Sequence, residues 1–367
     1  MRESYFPEKI FIEKEVACLP FTHRVIKRKG KIPVWVIADT HSLYEELRPA
    51  EDLLGKGKKY LLITRHKGAF VKPCPCTPCY LGCNYFIINP VLNCPLDCSY
   101  CILQHYLSQP FITAFANLDD LWKELDLFLE MRGKTYTRIG TGELGDSLAL
   151  DRLTGLSEDL IEFFRGKEPA VLELKTKTVE IENLLRIDPP ENVVISWSLN
   201  SFTIARKEER QAPRVEERIQ AAAEVLKRGF RLGFHFDPLV FYPGWEEDYS
   251  EVVELLMSRV DPARISWISL GALRFPPSLK PVIRARFPRT KIMYEEFVAG
   301  IDGKWRYFRP LRTELYQKVV KAIKSSGGEE IPLYFCMESA QVWEKVLGWR
   351  PGSSREVEAF LSKCLKF

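Results

Sequence analysis

Short apolar runs alternate with longer amphipathic segments through most of the chain. Apolar runs of this length predict buried strands, and apolar positions at helical spacing predict surface helices. The strands are expected at 85–88, 137–140, 171–177, 193–200, 232–238 and 265–270, and the helices at 118–130, 156–164, 214–228 and 249–257. This alternation is typical of a parallel sheet with outer helices. About six strand–helix units predict an α/β partial barrel, short of a closed eightfold barrel.

Two smaller regions flank the predicted barrel. Strands at 33–37 and 60–63 and a helix at 41–47 predict a small α/β cap before it. After it come a basic stretch rich in aromatic residues, a strand at 334–338, and helices at 342–347 and 355–364. We therefore expect three parts. They are an N-terminal cap with a cysteine-rich loop (1–88), the partial barrel (89–276), and a C-terminal extension that is a candidate substrate or nucleic-acid contact region (277–367).

Composition narrows the class of protein. With 367 residues and 46% hydrophobic side chains the chain can bury a large core. A net charge of +4 is too small to indicate a nucleic-acid partner by itself. No apolar run approaches the ~20 residues of a membrane span, and no apolar signal segment follows the first residues. Ten cysteines without such a signal favour metal or redox use in a reducing cytoplasm, with no membrane partner.

Three cysteines stand within eight residues of one another, at Cys94, Cys98 and Cys101. They follow a predicted strand and precede a segment that can form a helix, so they lie on a loop of the kind that carries chemistry in α/β proteins. Iron–sulfur clusters normally take four Cys thiolates. Three closely spaced ones can hold a cubane and leave one iron free for another ligand. The alternatives are a zinc knuckle or three unrelated core thiols, although zinc sites usually take four ligands from two separated pairs.

A second group of cysteines lies just before the first, spaced C-x-C-x2-C-x3-C, and comprises Cys74, Cys76, Cys79 and Cys83. Prolines and a glycine keep this stretch out of helix and strand, which leaves a loop able to fold its thiols around a metal. It could hold a second iron–sulfur cluster or a zinc ion. The alternative is a partial site in which some of these thiols are merely buried or the distant Cys336 replaces one of them.

Polar side chains recur where four predicted strands end. In parallel barrels the reactive groups lie at the carboxyl ends of the strands. The residues concerned are Glu143, Lys177, Ser198, Asn200, His235 and Asp237. Taken singly, each has an ordinary interpretation as a helix-start acid, a solvated lysine or a turn residue. Their coincidence across four strands favours a functional site.

The spacing of the three cysteines, with Tyr100 before the last, resembles the radical S-adenosylmethionine (SAM) superfamily. Over about 94–316 the chain resembles the spore photoproduct lyase family within it. The likeness is carried by CPLDCSYCILQ (94–104), RLTG (152–155), TK (176–177), SLN (198–200), ERIQAA (217–222), GF (233–234) and GWEE (244–247). Members of this family repair a thymine dimer in spore DNA by hydrogen abstraction and return.

The resemblance implies a partial barrel of six units, a 4Fe–4S cluster on Cys94, Cys98 and Cys101, and Tyr100 beside the cluster. It implies that the open iron binds SAM, and that an electron from the cluster splits SAM into methionine and a 5′-deoxyadenosyl radical that abstracts a substrate hydrogen. An electron donor of the flavodoxin or ferredoxin type is implied as a partner.

The resemblance also points to residues that would bind SAM. Lys177 and Ser198 fall on positions that contact the methionyl group, and Asn200 belongs to the same strand-end motif. Glu143 resembles the Gly-Glu element by which many radical SAM enzymes bind the amino group. A carboxylate facing an ammonium makes a charge-assisted hydrogen bond that suits a buried site.

Two departures from the family matter. Glu143 falls where the lyases carry a hydrogen-donor cysteine, and Ile102 stands where they have a tyrosine of the hydrogen relay. Neither a carboxylate nor an aliphatic side chain gives up a hydrogen atom as readily as a thiol or a phenol. We therefore expect a lyase-like paralogue that does not perform the lyase reaction in the same way. Candidates to replace the donor are His235, Asp237, Tyr242 and the 74–83 loop.

The C-terminal extension contributes basic residues interleaved with aromatic ones, including the stretch KWRYFR at 304–309. Such a pattern suits a phosphate-backbone groove with a stacking element, and the family resemblance implies a DNA-contacting hairpin here. A solvated basic face over core aromatics is the alternative. Three hypotheses follow: a radical SAM enzyme acting on a nucleic-acid base or lesion, a radical SAM enzyme with an auxiliary cluster acting on a small molecule, peptide or protein, and a non-catalytic metal-containing DNA-binding protein.

Overall fold

A curled parallel sheet forms the centre of the fold. The computed structural model describes residues 5–77 and 79–364. The described strands are β1 (Lys9–Glu13), β2 (Val34–Ile37), β3 (Tyr60–Thr64), β4 (Val71–Pro73), β5 (Phe86–Ile88), β6 (Val91–Leu92), β7 (Ile112–Phe115), β8 (Thr137–Gly140), β9 (Ala170–Thr176), β10 (Val193–Ser198), β11 (Arg231–Leu239), β12 (Ile265–Ala272), β13 (Arg274–Phe275), β14 (Phe297–Ala299), β15 (Trp305–Tyr307) and β16 (Leu333–Phe335).

The described part of the chain contains fourteen α-helices. They are α1 (Pro20–Arg28), α2 (His41–Leu47), α3 (Leu53–Gly57), α4 (Leu103–Tyr106), α5 (Leu118–Arg132), α6 (Asp151–Thr154), α7 (Leu156–Phe164), α8 (Phe202–Glu208), α9 (Val215–Arg228), α10 (Trp245–Arg259), α11 (Leu279–Arg286), α12 (Arg309–Ser325), α13 (Ala340–Leu347) and α14 (Ser354–Ser362). None of the helices within the described ranges is both long and apolar enough to cross a membrane.

The main sheet has eight strands in the order β16-β12-β11-β10-β9-β8-β5-β4. The six strands predicted from the sequence are its central members, paired in parallel and in chain order. β16 extends the sheet in parallel, and β4 closes the other edge as an antiparallel strand. The sheet curls into a half-barrel of the TIM type, as the sequence predicted. It takes in strands from all three predicted parts of the chain, and the predicted boundaries remain untested.

A second sheet of five strands, β2-β1-β3-β7-β6, forms the N-terminal part. The predicted strands at 33–37 and 60–63 and the predicted helix at 41–47 all belong to it or its flank. Its strands β1 and β7 were not predicted from the sequence. β7 is buried at all four positions, so it lacks the alternation that marks a half-exposed strand. Because β7 follows the three-cysteine loop in the chain, this sheet anchors one end of that loop.

The C-terminal part begins with a small antiparallel sheet, β13-β15-β14. It is followed by α12, a helix of 17 residues that sequence reasoning missed because its first turn continues the basic, aromatic stretch. α12 begins at Arg309 with a proline in its first turn, where the missing N–H costs no helical hydrogen bond. It buries Leu315, Tyr316 and Val319. Its packing partners are α10, α13 and β12, so it joins the C-terminal part to the main sheet.

Candidate active site

One pocket of about 320 Å³ lies at the carboxyl ends of the half-barrel strands. The predicted residues that line it are Cys74, Cys76, Cys83, Cys94, Cys98, Tyr100, Cys101, Glu143, Lys177, Ser198, His235, Asp237 and Cys336. Both groups of cysteines therefore face the same space, from opposite sides of the strand ends. Three of the predicted residues, Cys79, Asn200 and Tyr242, do not line the pocket.

The loop that carries Cys94, Cys98 and Cys101 is held by its own backbone and by one side chain. Asn93 and Asp97 adopt left-handed conformations with φ of 71° and 48°, which Asn and Asp tolerate better than most residues. The Asn93 amide donates to the Leu144 carbonyl at 2.8 Å, which ties the cysteine loop to the loop of Glu143. The Gln104 side chain donates to the carbonyls of Cys98, Ser99 and Cys101. The loop thus keeps its shape through groups that leave the thiols free.

Asp97 clamps the same loop between two distant parts of the chain. Its carboxylate forms ion pairs with Lys58 and with Arg286, each at 3.0 Å. Lys58 is only 4% exposed. Burial acts to lower the pKa of Lys58, but Cys101, Asp97 and Cys94 outweigh it and hold that pKa above its ordinary value. A buried cation therefore lies beside two of the three thiols, and nothing in the sequence pattern singled it out.

Glu209 connects the cysteine loop to Lys177. It is fully buried, and it pairs with Arg218 at 2.5 Å and with Lys177 at 4.0 Å. The Tyr100 hydroxyl donates to the same carboxylate. Burial acts to raise the pKa of Glu209, but Arg218 and Lys177 outweigh it and hold that pKa below its ordinary value. Glu209 is therefore a carboxylate that orients Lys177, and sequence reasoning missed it because it lies at the end of α8, far from any motif.

Glu143 lines the same pocket as Lys177, and its carboxylate is already paired with Lys175. Burial acts to lower the pKa of Lys175, and the neighbouring Glu143 and Glu173 more than reverse that effect. The loop that holds Glu143 is fixed by Asp146, whose carboxylate accepts the backbone N–H of Lys177 at 2.8 Å. Glu143 thus lines the pocket, with an ammonium neighbour that the sequence did not reveal.

The far side of the pocket holds a buried polar cluster around Glu173. One oxygen of this carboxylate lies 2.8 Å from His235 Nε2, 2.9 Å from Trp267 Nε1 and 2.6 Å from Ser196 Oγ. Burial lowers the pKa of His235, against the opposing influence of Glu173. Asp237 pairs through both oxygens with Arg274 at 3.0 Å. His235 and Asp237 are therefore engaged with protein partners while lining the pocket.

Three predicted residues are placed differently. Asn200 is 1% exposed, donates to the Pro238 carbonyl and accepts from the Tyr249 hydroxyl at 2.6 Å, so its side chain supports strand ends. Cys79 is exposed. Tyr242 donates to Asp248 at 2.6 Å, away from the pocket lining.

The three loop thiols fit an iron–sulfur cluster. Cys98 is buried, and Cys94 and Cys101 are partly buried, all at the edge of the pocket. Burial raises the pKa of the Cys98 thiol to about 12, so without a metal it would stay protonated. Metal coordination deprotonates such a thiol outright. No three His, Cys, Asp or Glu side chains within residues 5–77 and 79–364 lie close enough to share a single metal ion. A cubane differs from such a site because its thiolates bind separate irons.

The basic stretch at 304–309 is less exposed than the sequence suggested. Arg306 is 1% exposed and pairs with Asp302 at 2.6 Å, and its guanidinium lies over the Tyr80 ring. Tyr307 is buried, and Lys304 lines the pocket. Arg309 and Phe308 are exposed. The alternation therefore reflects β15, which turns Arg306 inward to hold the small sheet.

Comparisons with known proteins agree on one family. A family model described as spore photoproduct lyase matches residues 79–335. The spore photoproduct lyase of Geobacillus sp. (strain Y412MC61) is 29% identical over 191 residues, which cover 52% of this chain and 56% of that protein. The spore photoproduct lyase of Clostridium acetobutylicum is 26% identical over 236 residues, which cover 63% of this chain and 68% of that protein. The alignments thus span about half to two thirds of these relatives.

Solved structures show the same fold. A spore photoproduct lyase double mutant with bound AdoMet and dinucleoside spore photoproduct superposes with a TM-score of 0.80 at 23% identity, covering 91% of this chain and 100% of that chain. A lyase complexed with dinucleoside spore photoproduct gives a TM-score of 0.79.

Proposed function

The chain belongs to the spore photoproduct lyase family, and from this premise we propose that it is a radical SAM enzyme acting on a nucleic-acid lesion. The observation that supports this most is the shared pocket, which Cys94, Cys98 and Cys101 line together with Lys177 and Ser198. When bound there, a 4Fe–4S cluster and SAM would supply a 5′-deoxyadenosyl radical, formed with an electron from a flavodoxin- or ferredoxin-type donor.

In this proposal the chain's own residues hold SAM by charge. Lys177 offers an ammonium to the methionyl carboxylate, and the buried carboxylate of Glu209, 4.0 Å from that ammonium, positions it. Glu143 offers its carboxylate to the amino group. Because Lys175 already occupies Glu143, a bound amino group would share that carboxylate with Lys175. Two cations on one carboxylate are each held less strongly than one, so Lys175 tunes the affinity for SAM.

The hydrogen step differs from that expected of the lyases. Ile102 and Glu143 line the pocket at the positions where the resemblance implies a tyrosine and a cysteine. The thiols that face the pocket outside the 94–101 loop are, among the described residues, Cys74, Cys76, Cys83 and Cys336. We therefore place the fate of the substrate radical on the side of the pocket that these thiols occupy: a free thiol would return a hydrogen atom, whereas thiolates that hold a cluster would instead allow electron transfer.

The first test is the yield of 5′-deoxyadenosine from anaerobically reconstituted protein with reductant and SAM. The wild type should form it, and the variant in which Cys94, Cys98 and Cys101 are all replaced by alanine should form none. Cys18, which is exposed and far from the pocket, gives the matched control Cys18→Ser, which should behave as the wild type. Adding DNA that contains spore photoproduct should raise the yield. If this DNA does not change the yield, the substrate would be a small molecule, peptide or protein. If no 5′-deoxyadenosine forms at all, the protein would be non-catalytic.

The surface that we propose for nucleic acid lies around α11 and the small sheet β13-β15-β14. Its exposed basic residues are Arg284, Arg289, Lys291 and Arg309, and its exposed apolar or aromatic ones are Tyr294, Val298, Ile301 and Phe308. Ile301 is 73% exposed at the turn between β14 and β15. Cations bind backbone phosphates, and exposed rings can stack on unpaired bases. Arg306 is excluded from this surface because it is buried in its pair with Asp302.

Salt dependence of DNA binding tests this surface. Each phosphate contact contributes about −0.9 to the slope of log K against log salt, so replacing all four basic residues by glutamine should flatten the slope by about 3 to 4. A matched control replaces four exposed lysines elsewhere, Lys14, Lys27, Lys31 and Lys67, which should leave the slope unchanged. If both quadruple variants changed the slope equally, DNA binding would depend only on the net charge of the protein, and this surface would not be the binding site.

A further inference from the structure

We propose a second iron–sulfur cluster site in the same pocket, with Cys74, Cys76, Cys83 and Cys336 as its four ligands. The inference extends the proposed function, since the site shares the pocket, but its test does not depend on SAM chemistry. Of the ligand sets that the sequence left open, it selects the one in which Cys336 replaces Cys79. All four thiols are partly buried and line the pocket, whereas Cys79 is exposed with a left-handed φ of 76°.

Backbone contacts bring these cysteines together from two ends of the chain. The Cys74 amide donates to the Tyr85 carbonyl at 2.7 Å, so the cysteine-rich loop turns back beside β5. The Cys336 amide donates to the Leu270 carbonyl at 3.1 Å, at the end of β12. The two segments are joined where the Leu81 amide donates to the Glu338 carbonyl at 3.0 Å. The thiols are thus brought to one pocket across more than 250 residues of sequence, although β4 and β16 stand at opposite edges of the main sheet.

Within the cysteine-rich loop, local contacts hold the cysteines next to one another. The Cys76 amide donates to the Cys74 carbonyl at 2.6 Å. A side chain on Gly82 would start 3.0 Å from Cys76 Sγ, so glycine leaves room for that sulfur beside the chain. Cys336 lines the same pocket as Cys74, Cys76 and Cys83, so all four thiols border one space.

Two buried arginines donate to these sulfurs. Arg138 Nη2 lies 2.9 Å from Cys83 Sγ, and Arg274 Nη2 lies 3.3 Å from Cys336 Sγ. Arg138 is 3% exposed, lies among the rings of Tyr85, Trp267 and Tyr334, and has no hydrogen-bond partner for Nε or Nη1 within the described residues.

Positive charge and hydrogen bonds to sulfur favour thiolates and set the potential of a cluster. Arg138 and Arg274 supply both on one side of the site, and the Lys304 ammonium adds charge at the pocket wall. Glu173 and Asp237 offset part of this charge. Neutral thiols would gain little from two buried guanidinium groups, whereas the negative charge of cluster thiolates would be stabilised by them.

The geometry favours a cluster over zinc. A structural zinc ion draws four ligands to about 2.0–2.3 Å from one point. The four thiols here do not converge on one point in that way, as no three such side chains within 5–77 and 79–364 do. In a four-iron cluster each thiolate binds its own iron, so the sulfurs stand further apart. With four thiolates no iron would be left open, so this cluster would carry electrons or position a substrate rather than bind SAM.

Iron and acid-labile sulfide per chain test the inference, in anaerobically reconstituted full-length protein. Each four-iron cluster contributes ~4 irons, so the wild type should hold ~8 and the Cys94, Cys98 and Cys101 to alanine variant ~4. In that triple background, Cys83→Ser with Cys336→Ser should reduce the iron to below ~1 per chain. The matched control in the same background, Cys79→Ser with Cys18→Ser, should keep ~4.

Several outcomes would overturn the inference: ~4 irons in the wild type, zinc in place of iron, or equal iron loss from the control pair. If the variant with both Cys83→Ser and Cys336→Ser fails to fold, as judged by circular dichroism, the single variant Cys336→Ser provides the test. It should alter the electron paramagnetic resonance spectrum of the reduced triple variant, and an unchanged spectrum would remove Cys336 from the ligand set. Failure of the proposed function shows separately, as absent 5′-deoxyadenosine in protein that still holds both clusters.

Discussion

Replacing Glu209 by glutamine tests whether a buried charge organises the SAM side of the pocket. Arg218 makes three hydrogen bonds: one to the Pro213 carbonyl at 3.0 Å, one to the Ser198 carbonyl at 3.1 Å, and one to Glu209 at 2.5 Å. The first two survive in Glu209→Gln, and the amide oxygen can still accept the third. What disappears is the negative charge opposite a guanidinium that is itself fully buried.

The magnitude follows from that loss. Leaving one partner of a buried ion pair without its counter-ion costs about 3–5 kcal/mol, and the retained hydrogen bonds favour the lower end. Glu208 provides a matched control. It is 6% exposed and accepts from the hydroxyls of Ser99 and Thr290, but it forms no ion pair within the described residues. Glu208→Gln should therefore cost only about 1 kcal/mol.

The assay is urea unfolding followed by circular dichroism, with both variants compared with the wild type at several pH values. Because Arg218 and Lys177 overcome the effect of burial and lower the pKa of Glu209 below 4.5, its carboxylate stabilises the fold above that pH. That stabilisation is lost as the pH falls through the lowered pKa. The difference in unfolding free energy between the wild type and Glu209→Gln should thus be largest at neutral pH and become smaller in acid. The reasoning would be refuted if Glu209→Gln lost no more unfolding free energy than Glu208→Gln, or if its difference from the wild type did not change with pH.

Two further predictions concern the loops of the pocket. Asp97→Asn keeps a residue that tolerates the left-handed conformation but leaves Lys58 buried without its counter-ion, so unfolding free energy should fall by about 3 kcal/mol. Asp52→Asn, at the more exposed partner of Arg286, should cost at most about 1 kcal/mol in the same urea titration, and equal losses would contradict the clamp. Gly142→Ala would put a methyl group 2.6 Å from Lys175 Cβ and push the Glu143 loop off β9. We expect SAM affinity, measured by calorimetry, to fall about tenfold or more, or about 1.4 kcal/mol, and an unchanged affinity would contradict that role.

The periodic parts of the fold were predictable and the contacts between distant segments were not. The central strands stand within a few residues of their predicted positions because buried β-rich runs between helices leave few alternatives. α12 escaped prediction because its start looks like a charged surface stretch. The three-cysteine loop was recognisable from the spacing of its cysteines. Lys58 and Glu209, in contrast, are single charged residues whose importance depends on their burial. The sequence offered Cys336 as an alternative ligand to the cysteine-rich loop, but its position at the same pocket depends on the pairing of β12 with β16.

The Asp97 clamp has a consequence for biosynthesis. Its partners come from the N-terminal part, through Lys58, and from α11, through Arg286. Contacts this distant in sequence form late, because the intervening chain must first be ordered. As the polypeptide leaves the ribosome, the three-cysteine loop emerges long before Arg286 does. Until then Asp97 in this loop can pair with Lys58 but not with Arg286. Stable loading of iron and sulfide is therefore expected only once Arg286 has emerged from the ribosome, and not while the three-cysteine loop alone is exposed.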